Sequence, residues 1–240
     1  MGRLAALGLL LLMTAGAEES LIPPFSLGDR DGDLPRGWKA LTFSDIPRHT
    51  DYRLVEHEGR VAVKAFADAS ASALYFETDA DPDARLDWSW TVLAPVAGAN
   101  VARKESDDAV ARVYVLFAYD SEGADLWTRM KYAATRLIYG QYPPAATLTY
   151  IWSTRLPEGQ VVASPYTGQA RIVALRRGAP VAGGWVNESV RPGDDFRRIF
   201  HEEPPRIAGI GIMSDSDNTG GVATAWYADF TLTPAKGTTP

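Results

Sequence analysis

Two carboxylates, an amide and three hydroxyls fall within six positions at Ser214-Asp215-Ser216-Asp217-Asn218-Thr219. Oxygen donors packed this densely suit a hard cation, and calcium takes about six to eight of them. Asp215, Asp217 and Asn218 are therefore the candidate ligands of a structural Ca2+. The same residue types also close Asx turns at strand ends, which is their commoner use. A second group is Asp107-Asp108 followed by Arg112 and Tyr114. Guanidinium, carboxylates and phenol together can bond sugar hydroxyls or a uronate. They can equally form a buried ion-pair network, since a buried guanidinium left unpaired is costly. Asp107, Asp108, Asp215 and Asp217 are the partners available to Arg112. Asp29, Asp31 and Asp33 resemble the opening of an EF-hand loop, but its twelfth position is Ala40 where a bidentate Glu is required, so a plain acidic turn is expected.

Sugar rings also stack on aromatic faces, and the chain has seven Trp. Trp88 and Trp90 share one face of an alternating run, as core residues do. Tyr150 and Trp152 point the same way on a run flanked by Pro143-Pro144 and Pro157, and are the preferred stacking platform. The expected ligand-binding set is thus Asp107, Asp108, Arg112, Tyr114, Tyr150 and Trp152, with no catalytic residue assigned. There are no cysteines, which removes disulfides, thiolate metal sites, cysteine nucleophiles and an N-terminal lipid anchor. His49, His57 and His201 are scattered, and no Gly-x-Ser-x-Gly elbow, phosphate loop or dinucleotide fingerprint occurs.

The elements that must hold these residues are mostly strands. Leu86, Trp88, Trp90 and Val92 alternate with polar residues, as do Ala111, Val113, Val115 and Phe117 with Arg112 and Tyr114. Eleven such segments are expected, near 22–26, 37–43, 52–57, 60–67, 71–78, 86–93, 110–119, 147–153, 170–176, 206–213 and 223–232. Turn-forming clusters separate them, among them Arg191-Pro192-Gly193-Asp194. Many short strands with little helix between them predict an all-β fold, a single jelly-roll-type β-sandwich. One helix is expected inside it, about 122–139, where Leu126, Met130, Ala133 and Leu137 fall at helical spacing.

At the start, Arg3, the apolar run Leu4 to Met13 and the small residues ending at Ala17 have the three parts of a secretory signal. The expected organisation is a signal peptide over 1–17, a β-sandwich domain over 18–233 and a frayed tail over 234–240, in the periplasm or outside the cell. No stretch reaches the length of a membrane-spanning helix. The formal net charge is −6, and becomes −7 once Arg3 is removed, with 23 basic against 30 acidic residues. An acidic surface argues against nucleic acid as a partner, which needs basic patches. It is compatible with a glycan or a cation. No feature of the chain specifies an oligomeric state.

Several stretches resemble a bacterial family of exported proteins known as domain of unknown function 3047. They are Leu34-Pro35-Arg36-Gly37-Trp38, Leu86-Asp87-Trp88-Ser89-Trp90, Asp107-Asp108-Ala109-Val110-Ala111-Arg112, Tyr150-Ile151-Trp152-Ser153, Asp194-Asp195-Phe196-Arg197-Arg198 and Ile212-Met213-Ser214-Asp215-Ser216-Asp217. The resemblance implies a jelly roll related in shape to carbohydrate-binding modules, and no activity. The expectation from the whole sequence is a non-catalytic envelope protein binding a saccharide or similar polar ligand. The alternatives are a glycan lyase or hydrolase using Arg112, Tyr114 and the Asp pairs, and a structural partner in an envelope complex.

Overall fold

The computed structural model describes residues 19–27, 34–119, 145–180 and 184–235. The signal peptide, the Asp29–Asp33 turn and the helix at 122–139, all expected from the sequence, lie outside them. Numbered in chain order, the strands are β1 (Trp38–Leu41), β2 (Asp51–His57), β3 (Arg60–Asp68), β4 (Ala73–Ala80), β5 (Arg85–Val92) and β6 (Ala111–Phe117). They continue as β7 (Ala146–Ser153), β8 (Val161–Ala163), β9 (Ala170–Arg177), β10 (Val186–Val190), β11 (Ile207–Met213) and β12 (Val222–Thr233). A seven-stranded sheet has the order β1-β4-β11-β6-β7-β9-β8, and a five-stranded sheet the order β10-β5-β12-β3-β2. The two pack face to face as a jelly-roll-type sandwich. All pairings are antiparallel except β7 with β9.

The period of two sets the core. Val113, Val115 and Phe117 of β6, Leu148 and Tyr150 of β7, and Ile210 and Ile212 of β11 are sealed on the inner face of the larger sheet. They meet Leu86, Trp88, Trp90, Tyr227 and Leu232 from the smaller one. Aromatic rings tie the layers together: Trp88 lies 5.8 Å from Tyr150, and Trp90 lies 5.8 Å from Trp152. Glu188 of β10 clasps the sheets at one edge, accepting hydrogen bonds from Trp90 Nε1 at 2.9 Å and from Arg176 Nε of β9 at 2.7 Å.

Three expectations need correcting. The segment 22–26 is not a strand: Pro23 and Pro24 remove two backbone donors, and the chain turns into a short 3-10 helix at Phe25–Leu27. Strands β8 and β10 are additional, the first only three residues long. The turn expected at Arg191–Asp194 instead opens a helix, α1 (Pro192–Phe200). Pro192 occupies its first turn with Asp194 and Asp195, Arg197 and Arg198 lie in its last turn, and His201 caps it in the left-handed conformation. That charge order suits the helix dipole. Phe196 packs on Phe117 with ring centroids 4.7 Å apart, fixing α1 to the end of the core. Among the described residues no helix is long and apolar enough to cross a membrane.

Candidate functional site

Arg112 begins the site. It stands second on β6, on the outer face, and its register partner on β11 is Met213. Asp215 therefore follows β11 at the same end of the sheet. Its carboxylate accepts from Arg112 Nε at 2.7 Å through Oδ1 and from Nη2 at 2.8 Å through Oδ2. Arg112 Nη2 also donates to Asp107 Oδ1 at 3.0 Å and to the Asp107 carbonyl at 2.8 Å. The Arg112 side chain is only 4% exposed, and that of Asp215 3%.

Asp108 faces the other way. Its carboxylate accepts the backbone N–H groups of Asn218 at 3.1 Å and Thr219 at 2.8 Å, and the Thr219 hydroxyl as well. The loop before β6 is thereby fastened to the turn after β11. Tyr227, from the inner face of the opposite sheet, reaches through to donate to the Met213 carbonyl at 2.7 Å and to accept from the Arg112 N–H at 3.2 Å. The ion-pair network thus rests on both sheets.

Several carboxylates share this one guanidinium, and the titration of the group reflects it. Burial works against the Arg112 charge, but Asp215, Tyr114 and Asp107 outweigh it and hold its pKa well above the ordinary value. Burial pushes the Asp215 carboxyl up to about 7 against the pull of Arg112, with Asp107 and Asp108 adding to the rise. Asp217 is half-buried and is raised too, by burial first and then by Asp108 among its neighbours. Tyr114 is raised by burial, which keeps its phenol neutral.

The network closes one end of a cleft of about 490 Å3 on the outer face of the seven-stranded sheet. Tyr114 pairs with Gly211 on one side and Thr149 on the other, and these three form the floor. A Cβ built on Gly211 would lie 3.4 Å from Tyr114 Cβ, so the missing side chain keeps the middle of the floor open. One wall is apolar, where Phe43, Ile46, Ala73 and Met213 pack around Tyr114. Tyr75 and Tyr166 complete the aromatic lining, with Asp217 and Asn218 at the charged end. The volume falls within the range of small-molecule sites, roughly 300–1,000 Å3.

Of the residues expected from sequence, Asp107, Arg112, Tyr114, Asp215, Asp217 and Asn218 line this cleft. Tyr150 and Trp152 do not. β7 pairs Tyr150 with Val113 and Trp152 with Ala111, which puts both rings on the core face. Tyr150 is fully buried and donates to Asp195 Oδ2 at 2.7 Å, and Trp152 donates to the Gly178 carbonyl at 2.8 Å. The proposed stacking platform is core packing. The cleft's tyrosines are instead 75, 114 and 166. Tyr75 was accessible from alternation in β4, whereas Tyr166 sits in a loop that no periodicity reaches.

The expected metal candidates gain one carboxylate. Carboxylate oxygens of Asp108, Asp215 and Asp217 come within 4.8 Å of one another, while Asn218 is exposed. Asp108 joins the expected Asp215 and Asp217 because the β6 and β11 ends meet side by side.

No curated protein matches the chain in sequence. Solved structures of similar shape include the family 11 carbohydrate-binding module from Clostridium thermocellum in complex with a mixed-linked tetrasaccharide, at 9% identity over 86% of this chain and 94% of that one, TM-score 0.41. The endoglucanase cel12A from Rhodothermus marinus is similar at 14% identity over 82% and 95%, TM-score 0.40. A cleaved adhesin domain of Lys-gingipain from Porphyromonas gingivalis is similar at 11% identity over 90% and 99%, TM-score 0.39. The family model for the protein of unknown function DUF3047 matches residues 36–231, which takes in every described strand up to Thr231 and all the cleft residues, so the chain belongs to that family.

Proposed function

We propose that this is an exported, non-catalytic protein that holds a saccharide or similar polar ligand in the outer-face cleft. The observation that carries the reading is the cleft's composition: three tyrosines and an apolar wall running into a cluster of carboxylates and Asn218. Sugars present flat C–H faces and hydroxyl edges, and this surface offers a partner for each. The lyase or hydrolase alternative is less well supported. Arg112 already bonds Asp215 and Asp107 through Nε and Nη2, and the Tyr114 phenol, with its pKa raised, is a poor base at neutral pH. A panel of oligosaccharides tested for binding and for turnover decides between them. Binding without turnover, weakened about tenfold or more by Tyr114→Ala, supports the reading. Turnover abolished by the same change, in a folded protein, supports the enzyme, and silence in both assays leaves the structural role in an envelope complex. Export is checked by N-terminal sequencing of the mature protein, expected to begin at Glu18.

A structural calcium is a second reading, favoured by the convergence of Asp108, Asp215 and Asp217. The fit is partial. Asp108 and Asp215 already accept six hydrogen bonds from protein donors, which leaves Asp217 as the open ligand. Calcium bound there raises the melting temperature, and a chelator reverses the rise; a melting temperature that calcium leaves unmoved removes the metal.

A further inference from the structure

The charged end of the cleft has a sign, and the sign limits what can bind. Asp107, Asp215, Asp217 and neighbouring Asp108 supply four carboxylates, and Arg112 is the one basic residue among the described residues lining the cleft. Its guanidinium is partly engaged: Asp215 takes Nε and Nη2, and Asp107 takes Nη2 through a carboxylate and a carbonyl oxygen, while Nη1 bonds no described residue. A ligand carboxylate or sulfate could meet Arg112 only at Nη1, where the surrounding aspartates oppose it with like charge. Lys104 lies over the Tyr166 ring, its Nζ 5.5 Å from the ring centroid, and does not line the cleft. Asp217 differs from its neighbours. It is half-buried, faces the cleft, and accepts no hydrogen bond from another described residue's side chain or backbone.

Resting on the saccharide reading, we infer that the cleft selects by charge: it takes an amine-bearing sugar, seats the ammonium on Asp217, and excludes uronates and sulfated sugars. A protonated amine makes a charge-assisted hydrogen bond to the open carboxylate and offsets the excess negative charge around it. The sugar body lies along Tyr114 and Tyr166. A neutral sugar keeps the stacking contact and loses the ionic one, whereas an acidic sugar meets like charge.

The test compares trisaccharides of glucosamine, glucose and glucuronate by calorimetric titration, in near-neutral, low-salt buffer with chelator present, so that the carboxylates keep their charge while much of the amine is still protonated. The glucosamine trimer is expected to bind at least about fivefold more tightly than the glucose trimer, with the glucuronate trimer weakest. Asp217→Asn brings the ratio of glucosamine to glucose affinity close to one, and added salt narrows it. Equal affinity for the amino and neutral sugars overturns charge selection while leaving saccharide binding intact. A preference for glucuronate, an amine preference that Asp217→Asn leaves unchanged, or one that appears only with added calcium also overturns it. Failure of all three trimers to bind removes the inference and the saccharide reading together.

Discussion

Arg112 is held by two carboxylates inside a structure that leaves its side chain 4% exposed. Replacing it with Ala leaves Asp215 and Asp107 facing one another without a cation, and such losses cost about 3–5 kcal/mol. Arg112→Ala is therefore expected to unfold at markedly lower denaturant concentration than the wild type, and an unchanged midpoint would contradict the network. The residue's outward direction was legible in the sequence, because Val113, Val115 and Phe117 had to face the core. Its partners were narrowed only to Asp107, Asp108, Asp215 and Asp217. Asp215 lies 103 positions away, and only the register of β11 on β6 brings the two together. Tyr150 and Trp152 were misassigned for a related reason. Alternation says that they share a face, but which face is buried depends on the strand beside them, and the pairing of Tyr150 with Val113 settles it.

Helix α1 shows how an element departs from its local signals. Gly193 sits in its first turn, where Ala normally favours a helix. Here a Cβ would lie 2.7 Å from both Asp83 Oδ1 and the Pro82 carbonyl oxygen, which the Gly193 N–H bonds at 2.8 Å. The sign therefore reverses: Gly193→Ala is expected to destabilise by about 1–3 kcal/mol, read from thermal or denaturant unfolding. A stabilised variant would mean that the helix is not seated against Pro82. The strands were easier to find than the helix because their apolar alternation spans seven residues or more, as in β5, β6 and β11. In α1 the only apolar residues after Pro192 are Phe196, Ile199 and Phe200.

For the whole molecule, the sandwich closes without disulfides around a core that includes buried phenols. Burial raises the pKa of Tyr150 and Tyr227 above the usual value for tyrosine, about 10. The folded state then binds more protons than the unfolded one at alkaline pH. The stability these groups contribute is complete below pH about 10 and is lost as pH rises beyond it. Unfolding followed in alkaline buffer should show these phenols ionising together with the loss of structure; ionisation before unfolding would contradict their burial. The outer face of the five-stranded sheet carries the main competing aromatic surface, where His57 stacks on Trp226 at 4.2 Å beside Trp185. Mapping amide chemical shifts during titration with a saccharide that binds separates the two faces and tests the central claim directly. The cleft reading predicts that the largest changes fall on Tyr114, Thr149, Gly211 and Asp217. Changes centred on His57, Trp185 and Trp226, with the cleft amides unmoved, would contradict it.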